Sequence, residues 1–226
     1  PKWYSHKGIK YTVFIGFILG LISLIRPNNF LILIVFILWN VTSFKGIKKR
    51  ISYFINSWDH ILIMILCFLI ICLPQFIYWK YITGEWLYYS YGDDRFYFTD
   101  PKIKGLFGYR KGFFIYTPIM FIAFIGIGFM KEKVKEFFGP VIIFTTINVY
   151  VLLSWWCWWY GGSFGQRAFI DSYGLWSLPL AAILSYGLSR KKVIKNIITY
   201  FVILTLTFHG IFQTLQYHYE GIARKS

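Results

Sequence analysis

The sequence predicts an all-α, polytopic integral membrane protein with about seven transmembrane helices and extracytoplasmic loops, in a single transmembrane helical domain over residues 1–226. Of the 226 residues, 57% are hydrophobic and only 15% are charged. A soluble domain of this length cannot bury so much apolar surface. The apolar residues also form successive runs that approach the ~20 residues needed to cross a bilayer as a helix.

Polar or basic segments separate the apolar runs and so define the predicted elements. Residues 11–25 and 30–43 are short for spans, so we expect a tight pair of helices extended by the flanking residues. Residues 51–58 predict an interfacial helix, and Pro74 predicts a kink near the end of the span that follows. The later predicted spans cover residues 61–79, 113–130, 140–156, 172–189 and 194–215.

Small residues and thiols within the spans have structural explanations. Gly16 and Gly20 lie four residues apart and predict close helix packing in the first span. Cys67, Cys72 and Cys157 are expected to be free thiols, because their spacing forms neither a zinc pattern nor a disulfide framework. The histidines are scattered and predict no metal site.

The net charge of +15 would favour a nucleic-acid partner if the protein were soluble. Here the basic residues lie in short segments between apolar runs, where the positive-inside rule explains them. We therefore expect no nucleic-acid partner. Seven spans place the N-terminus and the basic segments 45–50, 131–135 and 190–195 on the cytoplasmic side of a multi-pass protein.

The longest polar segment, residues 80–112, is predicted to be an extracytoplasmic loop. It combines aromatic rings that can stack on sugars with carboxylates for hydroxyl groups and cations for phosphates. A solvated loop with its rings in the membrane interface explains the same composition, and both interpretations stay open. Glu85, Asp93 and Asp94 are its candidate catalytic carboxylates. A turn after Gly92 or a salt bridge to Arg95 is the simpler explanation of the aspartate pair.

A second extracytoplasmic loop, residues 157–171, joins a block of indole rings to a glycine-rich turn and one arginine. Indole rings favour the membrane interface, and an arginine at that depth needs an anionic partner. The candidate phosphate-binding cations on this side of the membrane are Arg26, Arg110, Lys111 and Arg167. Snorkelling towards lipid head groups is the alternative for any one of them. The candidate wall for the lipid or the sugar is Trp158, Trp159, Tyr160, Gly161 and Gly162.

The segment 158–167, WWYGGSFGQR, followed by Pro179 in the next span, resembles the C-terminal half of bacterial GT-C membrane glycosyltransferases. The similarity is to the protein mannosyltransferase and aminoarabinose transferase type. Gly16, Gly20 and the segment 24–27, LIRP, resemble a second landmark of that group, a glycine-spaced helix that ends in Arg-Pro. The segments 109–112 and 116–118 also resemble a recurrent segment of large members.

The resemblance implies an enzyme of the bacterial inner membrane that transfers a sugar from a polyprenyl-phosphate donor to an extracytoplasmic acceptor. Relatives carry a catalytic carboxylate in their first extracytoplasmic loop, whereas the segment 26–29, RPNN, contains no acid. The chain is therefore expected to be the later, donor-lipid-binding part of a longer membrane protein whose main carboxylate lies elsewhere. A divalent metal ion takes part in some relatives and is left open.

A non-catalytic role is the main alternative. The same aromatic and cationic surface would suit an accessory or scaffold subunit of a bacterial envelope complex, which contacts membrane lipids and other membrane subunits. A transporter is disfavoured because the spans contain almost no charged residues, the usual mark of an ion path.

Overall fold

The computed structural model describes residues 2–188 and 193–219, in which the regular secondary structure is helical and no extended strand is present. The chain divides into two compact units, Pro1–Asp94 and Arg95–Ser226, where the sequence predicts one domain. Within the described residues, four segments are long and apolar enough to cross a membrane: Trp58–Thr83, Lys135–Leu153, Arg167–Gly187 and Val193–His218. The structure therefore agrees with the prediction of an all-helical protein with apolar helices of membrane length. The predicted number of seven transmembrane helices stays a prediction.

The first unit consists of five α-helices and one 3-10 segment. These are α1 (Lys2–His6), α2 (Ile9–Ile25), the 3-10 helix Pro27–Ile32, α3 (Leu33–Ile37), α4 (Phe44–Ile55) and α5 (Trp58–Thr83). α2 lies closely along α5, as the glycine spacing predicts. A Cβ added at Gly16 would lie 2.6 Å from the Met64 carbonyl oxygen, and one at Gly20 would lie 2.7 Å from Ile71 Cβ.

Two predicted elements of the first unit differ from the structure. The predicted second span, 30–43, is a 3-10 helix and a short α-helix that ends in a turn, where Asn40 takes a φ of 58°. The interfacial helix begins earlier than predicted, because the Ser43 side chain caps it by accepting a hydrogen bond from Gly46 N at 3.2 Å.

α5 continues past Pro74 to Thr83 and ends at Gly84, whose φ of 80° suits glycine.

The second unit contains the remaining helices. These are α6 (Lys104–Phe107), α7 (Phe113–Tyr116), α8 (Pro118–Gly126), the 3-10 helix Ile127–Phe129, α9 (Met130–Lys133), α10 (Lys135–Leu153), the 3-10 helix Arg167–Ser172, α11 (Tyr173–Gly187) and α12 (Val193–His218). The predicted end of the sixth span at residue 189 and the basic residues 190–192 lie outside the described residues.

The predicted fourth span, 113–130, is interrupted between α7 and α8. Thr117 leaves the helical region, with φ −139° and ψ 65°, and Pro118 opens the next helix. A proline disfavours helical backbone at the residue before it and offers no N–H to the preceding turn. The segment therefore forms several short helices in place of one continuous span.

The core of the second unit is aromatic and includes three fully buried rings, those of Phe113, Phe169 and Trp176. The ring centroids of Phe113 and Phe169 lie 4.5 Å apart. Trp176 Nε1 donates a hydrogen bond to Thr145 Oγ1 at 2.9 Å, which joins α11 to α10. This core supports the segments on either side of it, the turn before α7 and the loop before α11.

Candidate functional site

The tryptophan-glycine loop, defined here as residues 155–167, begins where α10 ends. Its first residues pair with the segment after residue 94 in a single antiparallel bridge between Phe96 and Trp155. Tyr97 N donates to Ser154 O at 2.6 Å, and Trp156 N donates to Arg95 O at 3.2 Å. The start of the loop is thereby held by backbone hydrogen bonds as well as by aromatic contact.

The middle of the loop turns through left-handed backbone conformations. Tyr160, Gly161 and Gly165 take φ values of 53°, 67° and 50°. Such values are costly for a non-glycine residue and persist where the surroundings stabilise them. At Tyr160 the stabilising contacts are its N–H to Cys157 O at 2.8 Å and its hydroxyl to Leu152 O at 2.9 Å.

Gln166 is buried directly before Arg167 and has one unsatisfied polar atom. Its side chain is only 3% exposed. Nε2 donates to Trp158 O at 2.8 Å, whereas the buried Oε1 finds no hydrogen-bond partner in the described part of the chain. A buried acceptor of this kind is costly unless a ligand or water satisfies it. Gln166 is not among the site residues predicted from the sequence, although it directly precedes Arg167.

A tight turn before α7 buries Lys111. Gly112 N donates to Gly108 O at 2.8 Å, and a Cβ at Gly112 would lie only 2.4 Å from that oxygen. Lys111 takes a φ of 65° within this turn. The lysine is only 8% exposed, and its Nζ has no hydrogen-bond partner within residues 2–188 and 193–219. A buried, unpaired ammonium group is among the costlier features that a protein can contain.

Two arginines lie near this ammonium group. Burial is the main cause that lowers the pKa of Lys111, the Arg110 and Arg167 guanidinium groups lower it further, and Cys157 partly opposes them. The Arg110 guanidinium stacks over the Trp159 ring, 4.2 Å from its centroid. The structure therefore brings together three of the four predicted cations and one predicted wall residue. We call Arg110, Lys111 and Arg167 the cation cluster.

An apolar groove of about 510 Å³ lies beside the cation cluster. Arg167 and the buried Gln166 are part of its wall. The other lining side chains come from the start of α8, the loop, the 3-10 helix before α11, α11 and α12. They include Ile119, Phe164, Ile170, Tyr173, Leu206, Ile211 and Leu215. The groove therefore combines a mainly apolar wall with the cationic side chain of Arg167.

The end of α12 lies against the tryptophan-glycine loop. The Tyr217 hydroxyl donates a hydrogen bond to Gly162 O. The rings of Phe164 and Tyr217 have centroids 5.4 Å apart. The last helix is thereby joined to the loop that carries Arg167. The sequence predicts this helix only as a span, because its local pattern does not indicate which loop it contacts.

The other predicted wall residues are held within the loop itself. The Trp158 ring meets the Trp159 ring edge to face, with centroids 5.8 Å apart, and the Trp158 carbonyl accepts from Gln166. Tyr160 packs against the buried core near Leu152. These contacts support the shape of the loop, while Trp159 contacts a member of the cation cluster.

The remaining predicted site residues belong to the first unit. Arg26 follows α2, is partly exposed, and its backbone N–H donates to Ile22 O at 3.2 Å. Glu85 and Asp93 are exposed and Asp94 is partly exposed. Asp94 N donates to Tyr91 O at 3.1 Å across Gly92, whose φ is 60°. The backbone therefore turns at Gly92, as one of the two simpler explanations of the aspartate pair expects.

Among residues 2–188 and 193–219, no group of three or more His, Cys, Asp or Glu side chains is close enough together to hold a metal ion.

Comparisons of the chain with protein-family models, curated proteins and solved structures find no match.

Proposed function

We propose that this chain is the donor-lipid-binding part of a bacterial GT-C-type membrane glycosyltransferase. Such an enzyme transfers a sugar from a polyprenyl-phosphate donor to an acceptor on the extracytoplasmic face of the inner membrane. One observation carries the proposal. Among the residues that the structure describes, the buried Lys111 ammonium has no hydrogen-bond partner, and it lies beside the guanidinium groups of Arg110 and Arg167.

A phosphate group supplies what this cluster lacks. Its oxygens accept hydrogen bonds from Lys111 Nζ and from the fork of Arg167, and its negative charge offsets the mutual repulsion of the cations. When the sugar leaves a polyprenyl phosphate, the bond between the sugar carbon and the phosphate oxygen breaks, and negative charge grows on that oxygen. Cations placed beforehand at this position stabilise the transition state more than the ground state.

The apolar groove suits the isoprenoid chain of the same lipid. Its wall is mainly aliphatic and aromatic, and Arg167 lies on it. The buried Oε1 of Gln166 can accept a hydrogen bond from a sugar hydroxyl, which would remove its unsatisfied state. Glu85, Asp93 and Asp94 are proposed only as groups that assist, with the main catalytic carboxylate outside this chain.

A scaffold role is the second candidate and has its own supporting observation. No residue in the most apolar part of α12 is buried. Large side chains such as Phe201, Leu204 and Phe208 are exposed. Other membrane subunits can cover such a helix as readily as lipid can. Under this alternative the cation cluster would serve protein contacts and would show no preference for a phosphate lipid.

The first test is binding of a polyprenyl phosphate to the purified protein in detergent, measured by native mass spectrometry. Arg167→Gln is expected to lower the affinity roughly tenfold, because one charge-assisted hydrogen bond to the phosphate is lost. Arg95→Gln is the matched control, since Arg95 is also exposed and its guanidinium instead faces the Tyr97 ring at 5.5 Å. Equal binding by wild type and Arg167→Gln, or no binding by either, would favour the scaffold.

The groove is tested separately by filling it. Gly210 lines the groove, and nothing lies within 4 Å of a Cβ added there. Gly210→Leu is expected to weaken binding of a long-chain polyprenyl phosphate about tenfold, because the new side chain occupies the space of several methylene groups. Binding of farnesyl phosphate should change little, since its short chain needs less of the groove.

Gly128→Leu is the control for this substitution, because a Cβ there also meets nothing within 4 Å and the residue does not line the groove. If Gly210→Leu and Gly128→Leu bind the long-chain lipid equally well, the groove does not hold the isoprenoid chain.

A further inference from the structure

Helix α4 combines basic and apolar residues beside a candidate membrane span. It covers Phe44–Ile55, with the sequence FKGIKKRISYFI, and has four basic residues and no acidic one. Only Asn56 and Ser57 separate it from α5, one of the candidate spans. Because a span must begin near the membrane surface, α4 lies at that surface too.

One face of α4 packs against the rings of Trp3 and Tyr4 in α1, and this contact sets the rotation of α4 about its axis. The Arg50 guanidinium lies 3.9 Å from the centroid of the Tyr4 ring, and its Nη2 donates to Trp39 O at 2.6 Å. The rings of Tyr53 and Phe54 approach the fully buried Trp3 ring, with centroids 5.7 and 6.0 Å away. This face is occupied by the protein itself.

A second face carries exposed apolar side chains. Phe44, Ile51 and Ile55 are 88%, 55% and 65% exposed. Their spacing of seven and four residues places them in one row along the helix. Three large apolar side chains in a row on a surface helix are unfavourable in water and favourable where the surface meets hydrocarbon.

The remaining exposed positions of α4 are basic. Lys45, Lys48 and Lys49 are exposed, and within the described residues none of them forms an ion pair or a cation–π contact. Lys48 lies beside the apolar row, because it is four residues from Phe44 and three from Ile51. Apolar and cationic positions thus share the side of the helix that faces away from the protein.

We propose that α4 is an anionic-phospholipid-binding helix that lies in the membrane interface at the start of α5. Phe44, Ile51 and Ile55 enter the boundary of the acyl chains, while Lys45, Lys48 and Lys49 bind the lipid phosphates. The lipid surface fits better than an acidic protein because the apolar row continues directly towards a membrane span. This site is independent of the cation cluster in the second unit and of the proposed function.

The test is native mass spectrometry of the full chain with phosphatidylglycerol or phosphatidylcholine added in detergent. The wild type is expected to retain phosphatidylglycerol in preference to phosphatidylcholine. The combined variant Lys45→Gln, Lys48→Gln and Lys49→Gln should lose about tenfold of that preference, because it removes three cations that attract the anionic head group. The control is Lys131→Gln, Lys133→Gln and Lys135→Gln, which removes the same charge elsewhere.

An unchanged preference in the α4 variant would overturn the proposal, as would an equal loss in the control variant, which would indicate a general charge effect. A second measurement tests the apolar row in nanodiscs that contain phosphatidylglycerol. A spin label at Ile51→Cys should be more accessible to oxygen than to a water-soluble nickel complex, and a label at Lys49→Cys should show the reverse. Cys157→Ser is included to remove the thiol that is not buried. Equal nickel access at both positions would overturn the membrane contact and favour an acidic protein partner.

Discussion

Replacing Lys111 with methionine is expected to remove polyprenyl-phosphate binding and, in the same protein, to raise its thermal stability without ligand. Methionine fills a similar volume but carries no charge, so the phosphate loses a buried cation. We expect about a hundredfold loss of affinity, on the order of 3 kcal/mol. Stability rises because the folded chain no longer buries an ammonium without a hydrogen-bond partner. Opposite effects on binding and stability are the mark of a residue kept for a ligand.

The measurements are lipid titration by native mass spectrometry and thermal unfolding of the detergent-solubilised protein. Lys104→Met is the matched control, since Lys104 lies nearby in α6 with its side chain exposed. Neither its binding nor its unfolding temperature should change much. The assignment fails if Lys111→Met binds the lipid as the wild type does. It also fails if the variant is less stable than the wild type, because the lysine would then be a structural residue.

The pH dependence of the wild type gives the same variant a second readout. Burial, Arg110 and Arg167 together lower the pKa of Lys111 below the ordinary value of 10.5. Between the lowered pKa and 10.5 the unfolded chain holds a proton that the folded chain has released, so the stability of the ligand-free protein rises with pH in this window. The affinity for phosphate changes in the opposite direction. It falls as the pH rises past the lowered pKa, because binding needs the ammonium form of Lys111. Lys111→Met should lose both of these contributions.

Replacing Gly126 with alanine is expected to lower the stability of the second unit by about 3 kcal/mol, a large effect for one methyl group. A Cβ at this position would lie 2.1 Å from the Pro179 carbonyl oxygen and 2.7 Å from its carbonyl carbon. Both atoms belong to the backbone of α11, so no side chain can rotate away. α8 and α11 must move apart, and α11 also carries the buried Trp176. The measurement is thermal unfolding of the detergent-solubilised protein.

Gly128→Ala is the control, because a Cβ added there meets nothing within 4 Å. It should leave stability unchanged or raise it by less than about 1 kcal/mol, as alanine loses less backbone entropy than glycine. Similar unfolding temperatures for the two variants would contradict the close approach of α8 to Pro179.

Local pattern was sufficient for some features and insufficient for others. Gly16 and Gly20 predicted close packing, and the structure shows it against α5. The hydropathy of residues 113–130 predicts one helix, whereas the backbone at Thr117 and Pro118 interrupts it. The capping role of Ser43 was also missed, and it moves the start of α4. In both cases one residue sets a helix boundary, Pro118 through its backbone and Ser43 through its side chain, although the composition of the surrounding segment predicts a different boundary.

The sequence by itself determined that the chain is helical and rich in membrane-length apolar segments, and which cations and indole rings stand at their ends. These properties follow from composition and spacing, which act over a few residues. Only the tertiary structure decided that Arg110, Lys111 and Arg167 share one place, that Gln166 keeps a buried acceptor without a partner, and that α12 completes a groove. Contacts between distant segments depend on how the helices pack, and neither periodicity nor residue type specifies that packing.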